Sequence, residues 1–335
     1  MTTRILQADD CERLLRRADA VDALERAHTQ LARGGAVQPR PLAMRDPHDS
    51  AADAPALVPM TALAPYLGRG LVKMLADAPA NRALGRAAQR STAALFATDD
   101  AECLALIDGA VLTRMRTAAV SVLATRVLAR LDSEVLGLVG AGPLAVEHAV
   151  AHHEVLGIKE VVVWSRSQHS LDTFRDAVTA RAGGLRVTGV EEVYQVFETA
   201  DVVCTLTPSE SPLVTAKLLR PGLHLSAVGS PPRPEYSELD PDVFEDIDRV
   251  VVDDHAVARG ESGNIRNGLA AGTLGDHEIT SLGEVLAGSA AGRARDSDVT
   301  FFNSVGLGLQ DLAVLDLLHR EAVAADAGQQ VSLRP

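Results

Sequence analysis

Only three of the 32 basic residues are lysines: Lys73, Lys159 and Lys217. Lys73 stands inside an apolar run, Leu71-Val72-Lys73-Met74-Leu75. Desolvation there lowers an ammonium's pKa toward the range of a working acid–base group, a role closed to arginine, which keeps its proton. A lysine on the solvent face of an edge strand fits the run equally well. Two arginines are candidates for holding a carboxylate, because a guanidinium fork binds one bidentately and stays charged throughout. Arg116 precedes Thr117-Ala118-Ala119-Val120, an apolar continuation that favours a buried partner over a surface position. Arg40 lies between Pro39 and Pro41 in a loop, where either reading stands.

A second cluster carries dinucleotide chemistry. Gly140-Ala141-Gly142-Pro143-Leu144-Ala145 follows the strand-like run Val135-Leu136-Gly137-Leu138-Val139 and opens a helix. Gly140 permits the tight turn, Gly142 lets a pyrophosphate approach the backbone, and Ala145 allows close helix–strand packing. Amides at the helix N-terminus then face the phosphates. The next strand ends Trp164-Ser165-Arg166-Ser167, where an NAD site usually carries an acid for the ribose 2′-hydroxyl. Hydroxyls and a guanidinium suit a 2′-phosphate, so NADP(H) is favoured and NAD(H) remains possible.

The elements that position these residues fall into two patterns. A strand at 4–7 precedes two helices with Asp9 and Asp19 as N-caps and Gly34-Gly35 as the stop. Short apolar runs at 56–58, 71–75, 93–96 and 103–107, separated by turn residues, predict a sheet packed on those helices. A long helix over 112–131 follows. From there strand and helix alternate: strands at 134–139, 160–164, 186–188, 201–206, 224–228 and 249–253, and helices at 143–156 and 168–182. Such alternation predicts a parallel, doubly wound sheet. After Val299 to Phe302, a final helix over 306–325 returns to the first domain.

At 335 residues the chain holds two domains, and its 47% apolar and 23% charged content is that of a globular protein. A net charge of −13, with no long basic run, excludes a phosphate-backbone or anionic-membrane binder. No window approaches a membrane span, and the start of the chain lacks a signal-peptide core. Three scattered cysteines give no disulfide framework. A cytoplasmic location is expected.

Taken in order and spacing, several segments resemble the ornithine cyclodeaminase/μ-crystallin family over almost the whole chain. They are Val37 to Arg40, Gly70 to Met74 with Pro79 and Asn81, Asp108-Gly109, Leu112 to Ala119, the glycine turn, His224 to Gly229, Glu261-Ser262-Gly263 and Phe302 to Gly306. The resemblance implies an α/β fold: a Rossmann doubly wound parallel sheet (117–305) plus an α+β dimerisation and substrate domain (1–116 with 306–335). It implies a homodimer that passes a hydride between a nicotinamide and the α-carbon of a small imino or amino acid. Arg40 and Arg116 would hold the substrate carboxylate, Lys73 would serve as acid–base residue, and Val305 would abut the substrate. Arg116, Thr117, Thr205, Thr207, Ser226, Ala227, Val228, Gly229 and Ser304 would line the cofactor.

Two departures narrow the activity. Cyclodeaminases of the family carry an Asp after the Ala-Val-Gly segment, where this chain reads Gly229-Ser230-Pro231-Pro232-Arg233-Pro234-Glu235. Proline can neither accept a proton nor orient water, and Glu235 is a candidate substitute. The stretch that grips a distal amine in cyclodeaminases is Pro55 to Met60, with no carboxylate. The expectation is therefore a reductase of a cyclic ketimine or α-imino acid. An ornithine-type cyclodeaminase and an NADPH-dependent small-molecule-binding protein of μ-crystallin type are the alternatives. His148, His152 and His153 are expected to face solvent rather than hold a metal. Cys204 is expected in the core, and the run Asp253-Asp254-His255 is expected to cap the helix that follows.

Overall fold

The computed structural model describes residues 2–48, 51, 54–230 and 236–333. They form two compact units, 1–116 with 307–335 and 117–306.

The first unit begins with β1 (Thr3–Leu6), α1 (Ala8–Leu14) and α2 (Arg17–Ala32). Then come β2 (Met44–Arg45), β3 (Ala56–Ala64), β4 (Arg69–Asp77), β5 (Gln89–Ala97), β6 (Cys103–Asp108) and the start of α3 (Gly109–Leu128). Strands β3 to β6 form an antiparallel meander, and β1 pairs with β6 in parallel. Period-2 alternation drives the meander. On β3 the side chains of Ala56, Val58, Met60, Ala62 and Ala64 are buried, while Leu57 and Leu63 are exposed. On β4 Leu71 and Lys73 turn inward, with Val72 and Met74 outward. Among the described residues the outward face thus carries Met44, Leu57, Leu63, Val72 and Met74, apolar and unpartnered.

The second unit runs from the rest of α3 through β7 (Val135–Val139), α4 (Pro143–Leu156), β8 (Glu160–Trp164), α5 (Gln168–Arg181), β9 (Arg186–Val190), α6 (Val193–Thr199), β10 (Val202–Thr205) and β11 (His224–Ala227). It continues with β12 (Arg249–Val252), α7 (His255–Glu261), α8 (Gly263–Ala271), β13 (Ile279–Ser281), α9 (Leu282–Leu286) and β14 (Thr300–Asn303). The eight strands lie in the order β13-β12-β14-β11-β10-β7-β8-β9, all parallel. Both faces are covered, which is why strands such as Val161-Val162-Val163 read as continuous apolar runs. This is a Rossmann-type doubly wound sheet. The chain then re-enters the first unit as α10 (Gly308–Ala324) and β15 (Gln329–Val331), the latter pairing with β1.

Three sequence expectations need correction. Gln7 and Arg16 occupy the N-cap positions of α1 and α2, so Asp9 and Asp19 fall within the first turns. There they still face the helix dipole favourably. The meander is packed chiefly on α10, and α2 packs on α10 in turn. His148 and His152 do not face solvent: both are fully buried between α3 and α4. His148 Nε2 lies 3.0 Å from Ser121 Oγ, and His152 Nε2 lies 3.2 Å from Thr125 Oγ1. Burial pushes their pKa values down to about 4 and about 3, so both rings are neutral. Cys204 is buried on β10, as expected of a core residue.

Candidate active site

In the first unit, β4, α3 and α10 bring five polar side chains together in an otherwise apolar layer. Lys73 is 1% exposed and Asp311 is 0% exposed. The Lys73 ammonium donates to both carboxylate oxygens of Asp311 at 3.0 Å and to Thr113 Oγ1 at 2.7 Å. Arg116, also buried, donates from Nε to Asp311 Oδ1 at 3.1 Å and from Nη1 to Gln310 Oε1 at 3.0 Å. Gln310 Oε1 also accepts the Leu307 amide, and Gln310 Nε2 meets His28 Nε2 at 3.2 Å. Burial lowers the Lys73 pKa and Asp311 holds it up, leaving it at about 8 against an ordinary 10.5, while neighbouring Arg116 pushes it further down. Burial keeps His28 neutral, its pKa at about 4.

The sequence singled out Lys73 and Arg116, and the structure places them in one cluster. Arg40 sits in an exposed loop ahead of β2 and outside that cluster. Asp311 was missed. Its signal was available: an acid in Leu307-Gly308-Leu309-Gln310-Asp311-Leu312, a helix start otherwise without charge. A carboxylate there is tolerated only when paired.

In the second unit the glycine turn has the geometry a dinucleotide needs. Gly140 has φ +117°, and a Cβ there would lie 3.1 Å from the Leu206 carbonyl oxygen. A Cβ on Gly142 would meet nothing within 4 Å. The Gly142 carbonyl accepts the amides of Ala145 and Val146, starting α4 with Pro143 in its first turn. Gly140, Ala141 and Gly142 line a cavity of about 560 Å³ together with Trp164, Ser165 and Arg166, closed on another side by Leu206 to Ser209. Arg166 is exposed at this cavity, whereas Ser167 caps α5 by accepting the Ser170 amide. The open cradle above Gly142 and the cationic Arg166 fit the pyrophosphate and ribose side of a nicotinamide dinucleotide.

Two buried carboxylates shape the loops at the carboxyl ends of the strands. Glu238 accepts from the Thr207 amide and hydroxyl (both 2.7 Å), from Thr205 Oγ1 (2.8 Å) and from the Gly229 amide (3.1 Å). Gly229 approaches so closely that a Cβ would sit 2.1 Å from the Thr207 nitrogen. Burial raises the Glu238 pKa to about 7, against the pull of these donors. Asp253 accepts from Ser304 Oγ (3.3 Å) and the amides of Val305 (3.0 Å) and Gly306 (2.7 Å). Its neighbour Asp254 caps α7 through the Val257 amide, so only the second acid of that pair is the helix cap. Neither Glu238 nor Asp253 was picked out as a site residue from sequence.

Several expected cofactor residues thus have side chains already engaged. Thr205 and Thr207 are bound to Glu238, and Ser304 to Asp253. Ser226 Oγ lies 3.1 Å from His224 Nε2 in the sheet interior. Ala227, Val228 and Thr117 are buried. The departures at Pro231 and Glu235 fall outside the described residues. Among the described residues no group of three His, Cys, Asp or Glu side chains could hold a metal ion, and no helix is long and apolar enough to cross a membrane.

A parallel sheet bearing a dinucleotide turn in one unit and a buried lysine–arginine–aspartate cluster in the other define a two-unit Rossmann-type protein. Comparison with known proteins makes this specific. The model of the ornithine cyclodeaminase/mu-crystallin family matches residues 1–326, and the chain belongs to that family. It is 30% identical over 272 residues to a Delta(1)-pyrroline-2-carboxylate reductase of Bacillus cereus, covering 80% of this chain and 83% of the relative. Among solved structures it is similar to the Thermococcus litoralis Delta(1)-pyrroline-2-carboxylate reductase in complex with NADH and L-proline. The TM-score is 0.92 at 26% identity, over 98% of this chain and 100% of that one. It is also similar to an archaeal alanine dehydrogenase dimer with bound NAD, with TM-score 0.89 at 27% identity over the full length of both chains.

Proposed function

We propose that the protein is an NAD(P)H-dependent reductase of the carbon–nitrogen double bond in a small α-imino carboxylate, a cyclic ketimine such as Δ(1)-pyrroline-2-carboxylate being the leading candidate. The observation that carries this reading is the buried ammonium of Lys73. With the two equal 3.0 Å contacts to the Asp311 oxygens served by one hydrogen shared between them, and a second hydrogen on Thr113, one is left to offer. The nicotinamide, when bound, supplies the hydride for the α-carbon. The chain supplies the rest. Lys73 donates a proton to the substrate nitrogen, and a pKa of about 8 makes it a competent acid at neutral pH. Arg116, whose Nε and Nη1 are committed, binds the substrate carboxylate through Nη2, with Arg40 as a second arm. Val305 abuts the substrate.

For the cofactor, Gly140, Ala141, Gly142, Pro143 and Leu144 receive the pyrophosphate at the start of α4. Ser165 and Arg166 face a 2′-phosphate, so NADP(H) is favoured over NAD(H), and Ser167 contributes by capping α5. Arg116, Thr117, Thr205, Thr207, Ser226, Ala227, Val228, Gly229 and Ser304 form the wall nearer the nicotinamide. The engaged hydroxyls among them act by fixing backbone rather than by direct contact.

The apolar outward face of the meander supports a homodimer. Met44, Leu57, Leu63, Val72 and Met74 form a continuous strip across β2, β3 and β4, and a second copy would bury it. Replacing Leu57 and Val72 together by Lys is expected to yield monomers, read by light scattering after size exclusion. A variant that remains dimeric would remove this face from the interface.

The test of function is reduced-nicotinamide oxidation with NADPH and NADH against cyclic ketimines and against α-keto acids with ammonia or methylamine. Stoichiometric NADPH loss with one imine class is expected. Proline and ammonia formed from ornithine without net cofactor change would instead establish a cyclodeaminase. NADPH binding without any turnover would establish the ligand-binding alternative.

A further inference from the structure

Asp311 stands between the two cations of the buried cluster, and among the described residues no other acid pairs with either of them. The groups facing it are Lys73 on β4, Thr113 and Arg116 on α3, Gln310 on α10 and the neutral His28 on α2. Oδ1 is shared, accepting from Lys73 at 3.0 Å and from Arg116 at 3.1 Å. We propose that Asp311 is a positioning residue. Its carboxylate fixes Lys73 and Arg116 to each other, keeps one ammonium N–H and the Nη2 amino group uncommitted, and lowers the cluster's charge from two positive to one. This rests on the reductase reading of the same site.

Two buried cations in contact repel strongly when desolvated, so without an anion between them the weaker base gives up its proton. The weaker base is Lys73, since a guanidinium stays protonated. A neutral amine in that position cannot donate to an imine nitrogen at the same pH, and it has lost the bond that aims it. The remaining single positive charge is then matched by one substrate carboxylate. A dicarboxylate brings a second negative charge that no cation of the cluster compensates, and a buried unpaired charge is costly.

The experiment compares wild-type holoenzyme with Asp311→Asn. The kcat of imine reduction is expected to fall through about pH 8 in the wild type, following Lys73. In the variant this limb moves to lower pH by at least about one unit, with at least about a fivefold loss of kcat at the wild-type midpoint. The Kd for NADPH, read by fluorescence, stays unchanged. A merely structural role would lower kcat without moving the limb. A folded variant whose limb stays in place overturns the proposal.

A second readout needs no turnover. Calorimetric binding of pyrrole-2-carboxylate and pyrrole-2,5-dicarboxylate, both flat and unreactive, is expected to favour the monocarboxylate in the wild type by about tenfold, the equivalent of about 1.4 kcal/mol. At a pH below the variant's own limb, where Lys73 is still charged and the cluster carries two positive charges, Asp311→Asn narrows that gap. Equal or tighter dicarboxylate binding by the wild type overturns the proposal even where the Asn variant fails to fold. Should imines not turn over at all, the reductase reading fails while this binding comparison still decides the role of Asp311.

Discussion

The two candidate site regions each bury carboxylates, yet they satisfy them with different partners. In the first, Asp311 is matched by two cations, Lys73 and Arg116. In the second, Glu238 and Asp253 are matched by backbone amides and hydroxyls of the loops at the strand ends. The contrast separates two uses of one functional group. A carboxylate held by amides shapes backbone and leaves no spare donors, because each N–H has a single hydrogen to give. A carboxylate held by an ammonium and a guanidinium leaves donors over, and those are what a substrate can use. The first arrangement builds a binding surface; the second builds reactivity.

Breaking the cation-matched carboxylate is expected to have the largest effect on stability. Asp311→Leu leaves two buried cations unpaired, and removal of one partner from such a pair costs about 3–5 kcal/mol. Urea denaturation of the variant at neutral pH checks this. A loss below about 1 kcal/mol would mean that water reaches the cluster and that its burial is not maintained in solution.

The amide-matched side is sharpened by two adjacent acids with different tasks. Asp253→Ala strands the Val305 and Gly306 amides and the Ser304 hydroxyl, each a buried group worth about 1–3 kcal/mol when left unsatisfied. Asp254→Ala removes one helix cap, worth about 1 kcal/mol. The expected order of destabilisation is Asp253 well above Asp254. Equal effects in thermal melts would make Asp253 an ordinary surface acid.

A smaller, pH-dependent difference separates the units as well. His148, His152 and His224 of the second unit are buried neutral, with pKa values pushed down to about 4, about 3 and about 3, whereas the first unit holds His28 at about 4 and the half-buried His319, whose pKa burial also lowers. A histidine whose folded pKa is lowered adds no stability above the unfolded value near 6.5. As pH falls below that value the unfolded chain takes up the proton first, and stability is lost down to the folded pKa. Glu238 has the opposite sign. Its pKa, raised to about 7, costs stability as pH rises from its ordinary value of 4.5 through 7. Three rings against one carboxyl give a second unit that loosens on acidification from pH 6.5. Hydrogen exchange at pH 7 and pH 5 should show amides of the second unit deprotected more than those of the first. Replacing His148 and His152 together by Gln should flatten the difference, and an unchanged slope would assign it to other groups.

Much of this was legible in the chain. The alternation from Val135 onward marked the parallel sheet, because strands covered on both faces are apolar throughout, and Gly140 to Ala145 marked the turn within it. Lys73 was visible because a charge interrupts an apolar run. The histidines were misjudged for the same reason read in reverse. Their spacing looks like a surface motif, yet Ala149, Val150 and Ala151 surround them, and a helix apolar on every side is a buried one. Asp311 and Glu238 were missed because an acid in an apolar stretch signals at most that a partner is needed, and the partners themselves are not local. Those partners stand 238, 195 and 31 to 33 residues away in sequence. Local patterns carry the elements; pairings across such distances appear only once the chain is folded.

The central claim is that Lys73 delivers the proton, and Lys73→Met with NADPH and Δ(1)-pyrroline-2-carboxylate tests it most directly. Met keeps the apolar body of the lysine and removes its ammonium, leaving Asp311 held by Arg116. A fall in kcat of about 10²–10⁴-fold, the usual worth of a positioned acid–base group, is predicted with NADPH affinity unchanged. A folded, cofactor-binding variant that reduces the imine at the wild-type rate would contradict the account.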